Sequence, residues 1–213
     1  MIKIITFEKN KQGYLLVLEQ YGDLQFDEEA YYKYEIYKDI ENGAVSDERI
    51  DLLKQARYES QIRIVKKYAY FLLTKKTYTV KELRTKLFAK YNDIDVAEAV
   101  VTQLTELGYI DDKEYIKNYI KYDMDIKPES QKALKYKLIQ KGIDKEMIVK
   151  ELSDLKFSEY ENARKIFEKK YLKYLNKDNT QEIKRKAYAY LARKGFNNET
   201  IRRVLEISLA EIE

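Results

Sequence analysis

LARKGFNNETIRRVL, Leu191 to Leu205, reads like LIQKGIDKEMIVKEL, Leu138 to Leu152. Both open on Leu and place a Lys-Gly pair at Lys141-Gly142 and Lys194-Gly195. After the Gly come an apolar residue, Asp or Asn, a Glu, then Ile148 or Ile201, and a closing Leu. Such self-similarity marks a structural repeat. If each Gly is the left-handed residue that ends a helix, Leu138 and Leu191 fall at the third-from-last helical position. Ile143 and Phe196 then lie just past the Gly, the two places whose side chains meet in a Schellman cap. Asp144 and Asn197 stand where the following helix needs an N-cap oxygen. LTELGYIDD, Leu104 to Asp112, repeats the pattern: Leu104 and Tyr109 bracket Gly108, and Asp111 with Glu114 forms a D-x-x-E variant of the capping box. The spacing therefore predicts helix, tight turn, helix, three times over.

Working outward, three units of three helices fill the chain after residue 60. In the first, Tyr58, Ile62, Val65, Ala69 and Leu72 form one helical stripe after a cap at Ser46. Thr79 and Glu82 have capping-box spacing ahead of Leu83 and Leu87, and Lys90-Tyr91 stands where the later copies have Lys-Gly. Val96, Val100 and Leu104 carry its last helix. The second unit runs from Asp112 to about Leu155, with Pro128 at or near the first turn of its middle helix. The third starts near Ser158, passes a loop at Asn176–Thr180, and continues through Ile183, Ala187 and Leu191 to Ile201, Val204 and Leu205. Ahead of them, Ile2, Ile4, Tyr14, Leu16, Leu18, Leu24 and Phe26 alternate around Gly13 and Gly22, a small β-meander. A helix with an acidic first turn (Asp27, Glu28, Glu29) follows and breaks at Asn42-Gly43. The expected architecture is mainly α: a tandem, elongated and curved array of three helix-turn-helix-like repeats behind a β-meander and helix. Its segments are 1–45, 46–111, 112–156 and 157–213.

The composition limits the chemistry. With neither Cys nor His, the chain has no disulfide framework, no Ser–His or Cys–His nucleophile, no HExxH helix and no zinc finger. It lacks a Gly-rich phosphate loop. Asp111-Asp112 has no third carboxylate at metal-site spacing and is explained by helix capping. We expect no catalysis and no cofactor. No apolar run approaches the roughly 20 residues of a membrane span, and MIKIITFEKN meets a Glu too soon for a signal peptide, so a cytoplasmic protein is expected. Residues 1–60 hold 8 Lys/Arg against 13 Asp/Glu, a net of −5, and the remainder holds 33 against 24, a net of +9. A basic body behind an acidic front end points to an anionic partner, although solvated helix surfaces share this composition.

At GYIDDKEYIKNYI (Gly108 to Ile120), flanked by TVKELRTKL (Thr79 to Leu87) and LARKGF (Leu191 to Phe196), the sequence resembles the RecX family of recombination regulators. The resemblance spans the helical part in motif order and repeat number, and the meander looks like the extension of RecX proteins from Gram-positive bacteria. The chain departs from the family pattern at Tyr78, at Tyr91 and around Lys127-Pro128-Glu129. The resemblance implies a monomer that binds the RecA filament on single-stranded DNA, blocks its growth, and damps ATP hydrolysis, strand exchange and co-protease activity, with at most weak affinity for duplex DNA. A tandem helix-turn-helix DNA binder and a helical-repeat protein scaffold are the alternatives.

Candidate contacts are basic residues flanking the turns: Lys75, Lys76, Arg84, Lys86, Lys135, Lys137, Lys141, Lys184, Arg185, Arg193, Lys194, Arg202 and Arg203. Arg193 and Arg203 stand out because a guanidinium fork suits phosphate and carboxylate alike. Tyr68, Tyr70, Tyr188 and Tyr190 could stack on bases, but Tyr at helical spacing is more often half-buried packing with its hydroxyl at the surface.

Overall fold

Alternation at the N-terminus produces the expected strands. The computed structural model describes residues 1–174 and 180–210. In it β1 (Ile2–Asn10), β2 (Gly13–Leu18) and β3 (Gly22–Phe26) form an antiparallel meander. Leu16, Leu18, Leu24 and Phe26 face inward. A register shift between Ile4 and Thr6 leaves Ile5 facing solvent. A two-residue strand, β4 (Ala44–Val45), pairs with Ile2 and Lys3 to complete the sheet order β3-β2-β1-β4. It follows the Asn42-Gly43 break and is too short to show as alternation.

The helix expected from Asp27 is two helices, α1 (Glu28–Lys33) and α2 (Ile36–Asn42). Glu35 sits between them in the left-handed region at φ 52°. Asp27 is the cap of α1, accepting from the Ala30 N–H at 2.9 Å, and its carboxylate also receives the Arg63 guanidinium. Ser46 makes no side-chain cap; a 3-10 turn (Asp47–Arg49) intervenes before α3 (Ile50–Leu73). α3 serves two cores. Ile50, Leu53 and Ala56 pack with the sheet, while Val65, Ala69 and Leu72 pack with the next two helices. Tyr58, placed on the buried stripe by its spacing, is exposed; Ser60 is the buried residue there, bonded to the Ala56 carbonyl and to Asp27.

The first repeat adds α4 (Val80–Tyr91) and α5 (Ile94–Glu106). Thr79 and Glu82 close a full capping box. The break after α4 falls at Asn92 (φ 52°), one residue past Tyr91, and Asp93 then caps α5. These elements belong to a unit spanning Met1–Ile110.

The second unit, Asp111–Glu213, holds α6 (Asp112–Asp125), α7 (Gln131–Gln140) and α8 (Lys145–Asp154), then α9 (Glu159–Lys170), α10 (Thr180–Arg193) and α11 (Asn198–Ala210). Most of the loop expected at Asn176–Thr180 lies outside the described residues. Asp111 caps α6 through the N–H groups of Lys113 and Glu114; no reciprocal Glu114 bond forms among the described residues. α7 starts later than expected: Ser130 is its cap, which leaves Pro128 in the preceding loop.

The Gly turns are Schellman caps. The N–H groups of Tyr109, Ile143 and Phe196 reach the carbonyls of Leu104, Leu138 and Leu191 at 2.9–3.2 Å. Gly108, Gly142 and Gly195 have φ of 75°, 86° and 87°. Asp144 and Asn197 cap the helices that follow. A fourth cap joins the two repeats of the second unit: the Phe157 N–H reaches the Leu152 carbonyl at 3.1 Å, with Lys156 at φ 50° in the Gly position.

A buried polar clasp holds these repeats together. The Asp123 carboxylate accepts from the Glu129 N–H (3.3 Å) and from the Asn162 amide (2.9 Å), and that amide also donates to the Glu129 carbonyl. Ser130 donates to the Lys194 carbonyl at 2.8 Å. Glu129, also buried, pairs with Lys137. Burial pushes the Asp123 carboxyl from 3.8 up to about 6, against the opposing pull of the Glu129 N–H.

Two outcomes follow. Gly108→Ala should lower the stability of its unit by about 1 kcal/mol, the ordinary left-handed cost. Gly195→Ala should lower its unit by more, because the new Cβ would stand 2.7 Å from the buried, doubly bonded Ser130 hydroxyl. Equal losses in urea titrations would contradict the clasp. Between pH 3.8 and about 6 the folded chain keeps a proton on Asp123 that the unfolded chain releases, so stability falls as pH rises through that window. Asn at this position keeps the acceptor oxygen without the charge. Asp123→Asn should therefore raise stability at pH 7.5 by about 2 kcal/mol and flatten this dependence; a destabilised variant would show that the clasp needs the carboxylate.

Candidate basic-aromatic interface

The basic residues singled out from the sequence separate by what they touch. Three are taken up by the fold. Arg84 pairs with Glu98, joining α4 to α5. Lys137 pairs with Glu129 in the clasp. The Arg203 guanidinium lies 4.9 Å from the centre of the Tyr160 ring, tying α11 to α9. Lys75 and Lys76 lie over the rings of Phe71 and Tyr78 at 5.2 and 4.3 Å, at the end of α3. Lys86 is exposed on α4.

The others gather in the second unit. Lys135, Arg193 and Lys194, with Lys132, line a groove of about 880 Å³ between α7 and the α10–α11 turn. None of the four forms an ion pair among the described residues. Glu159, the carboxylate in this groove, already accepts from the Gln131 N–H and the Asn197 amide at 3.3 and 2.8 Å. Ser130 fixes the Lys194 carbonyl from below, so the clasp sets the spacing of the cations on either wall. Lys184, Arg185 and Arg202 line a second groove of about 480 Å³ with Tyr188 and Glu206, between α10 and α11. The arrangement can bind an extended anion; among the described residues no group of three or more acidic side chains is placed to hold a metal ion.

Each repeat also lays a lysine over a tyrosine across its first two helices. Lys90 lies 3.4 Å above Tyr68, Lys141 5.4 Å above Tyr115, and Lys170 3.5 Å above Tyr190. Tyr68, Tyr70, Tyr188 and Tyr190 are half-buried against the repeat cores, which bears out the packing reading. A third groove, of about 750 Å³, was not anticipated. Its lysines include Lys169, Lys170 and Lys173 from KKYLKY (Lys169–Tyr174), a stretch whose alternation of Lys and Tyr was the available signal.

The comparisons with known proteins agree with this architecture. Residues 158–205, the third repeat, match the family model for the third three-helix domain of RecX. The regulatory protein RecX of Clostridium beijerinckii is 33% identical over 218 residues, covering 99% of this chain and 96% of the relative. That of Leuconostoc citreum is 30% identical over 203 residues, with 95% and 74% covered. A crystal structure of regulatory protein RecX superposes with a TM-score of 0.64 at 20% identity, over 97% of this chain and all of that one. RecX from Lactobacillus salivarius gives 0.60 at 23% identity, over 70% and 97%. These two show a shared fold. No described helix is long and apolar enough to cross a membrane.

Proposed function

The chain belongs to the RecX family of regulatory proteins, and from that premise we propose that it restrains homologous recombination by binding the RecA filament on single-stranded DNA. On this reading a cytoplasmic monomer, without cofactor or catalysis, blocks filament growth and damps ATP hydrolysis, strand exchange and co-protease activity. The observation that carries the reading is the groove of Lys132, Lys135, Arg193 and Lys194, four cations without ion-pair partners among the described residues. A nucleoprotein filament presents phosphates and carboxylates in a regular series. Fixed cations at a repeat junction suit such a surface, and each phosphate neutralised releases counterions, which makes the affinity fall with salt.

The groove also separates this reading from a sequence-specific helix-turn-helix binder. Its cations come from a helix flank and from a turn, whereas a reader of base edges projects side chains from one recognition helix into the major groove.

Lys135→Glu combined with Arg193→Glu should weaken binding to RecA-coated single-stranded DNA by about tenfold or more and reduce its salt dependence, with unchanged helicity by circular dichroism. Undiminished inhibition of RecA ATP hydrolysis by the folded double variant would remove this groove from the contact.

A further inference from the structure

The third groove differs in kind from the other two. Its floor is aliphatic, formed by Ile126 and Pro128 from the loop after α6, Ile166 from α9 and Ile183 from α10. Ile126, at the edge of this floor, is 61% exposed. Around the floor stand Lys127, Lys169, Lys170, Lys173, Lys186 and Lys194, and among the described residues no carboxylate lines the cavity. Lys186 is paired with Glu182; Lys127, Lys169, Lys170, Lys173 and Lys194 form no ion pair among the described residues.

Lysine and tyrosine together ordinarily suggest single-stranded nucleic acid, with bases stacked on the rings. Here the rings are engaged. Tyr190 carries Lys170 at 3.5 Å over its face and packs on the repeat core. Tyr171 is buried, stacked beside Phe167 and edge-on to Tyr190. Lys173 lies 4.7 Å over Tyr174. Tyr174 is 58% exposed but carries Lys173 over its face. The apolar surface left open is therefore mainly the aliphatic floor led by Ile126, matched to branched or aromatic peptide side chains, and the rim matches carboxylates.

We propose that this groove docks an acidic peptide segment of a protein partner, one that alternates carboxylates with aliphatic or aromatic anchors. The anchors would sit on Ile126, Ile166 and Ile183, and the carboxylates would meet the lysine rim. Burying the anchors supplies the affinity, and the charges supply the rate of encounter and the choice of partner. The proposal stands independently of the filament reading.

The test uses the full chain and a short fluorescein-labelled peptide alternating Asp and Glu with Leu and Phe, followed by anisotropy. Its competitors are the same peptide with Ser in place of Leu and Phe, and oligothymidylate. The Leu/Phe peptide should bind about tenfold tighter than the Ser peptide and should outcompete oligothymidylate. Lys169→Glu with Lys173→Glu, both exposed positions, should weaken the peptide by about tenfold. Ile126→Ser should reduce its advantage over the Ser peptide. Equal affinity for the two peptides would reduce the groove to bulk charge and overturn the proposal. Stronger binding of oligothymidylate would overturn it in favour of nucleic acid. The peptide comparison needs no variant, and with no recombinase present its failure would leave the filament reading intact.

Discussion

Everything in the helical part depends on one small bond pattern, the N–H after a left-handed residue closing back on a leucine carbonyl. At Leu104, Leu138 and Leu191 that bond ends one helix, and a following Asp or Asn starts the next within a few residues. The same leucines are fully buried, so each turn is both a stop signal and an anchor in the repeat core. A helix ended otherwise would leave backbone carbonyls unsatisfied beside that core, which costs about 1–3 kcal/mol per buried group. In the second and third repeats the second and third helices are thus held at a defined angle by local chemistry, and the first helix closes over the pair.

Because these turns are local, they could be read directly. Gly, the apolar residue after it and the capping Asp or Asn sit at fixed offsets, and Gly142 and Gly195 do what their spacing implied. Where another residue takes the left-handed place, the signal fades. Lys156 stands in LSDLKF as Gly108 stands in LTELGY, and Asn92, one residue past Lys90-Tyr91, ends α4. Longer-range features were out of reach. Nothing near Ala44 in the chain announces that it will meet Lys3, and Glu35 turns left-handed in the middle of an otherwise helical pattern. Proline is welcome at or near a first helical turn, the place expected for Pro128, yet the Asp123–Glu129–Asn162 clasp holds its loop away from the helix until Ser130.

Charge was legible in sum and not in assignment. The excess of cations after residue 60 is a property of composition, and it does face solvent in grooves. Which cations remain available depends on partners far off in the chain: Arg84 meets Glu98 and Arg203 meets the Tyr160 ring, contacts that helix periodicity alone does not disclose. Lys135 and Arg193 are distant in sequence and become neighbours through the Ser130–Lys194 bond between repeats. The clasp therefore links fold to site, since a polar network of moderate strength positions cations that themselves make no ion pairs among the described residues.

The most direct measurement of the central claim is binding of the chain, at two salt concentrations, to bare single-stranded DNA, to duplex DNA and to RecA-coated single-stranded DNA, with RecA ATP hydrolysis read in the same samples. A filament regulator binds the coated strand most tightly, with ATP hydrolysis falling in step. Equal or better binding to naked duplex, with ATP hydrolysis undisturbed, would contradict the account and identify the repeats as a DNA-binding array.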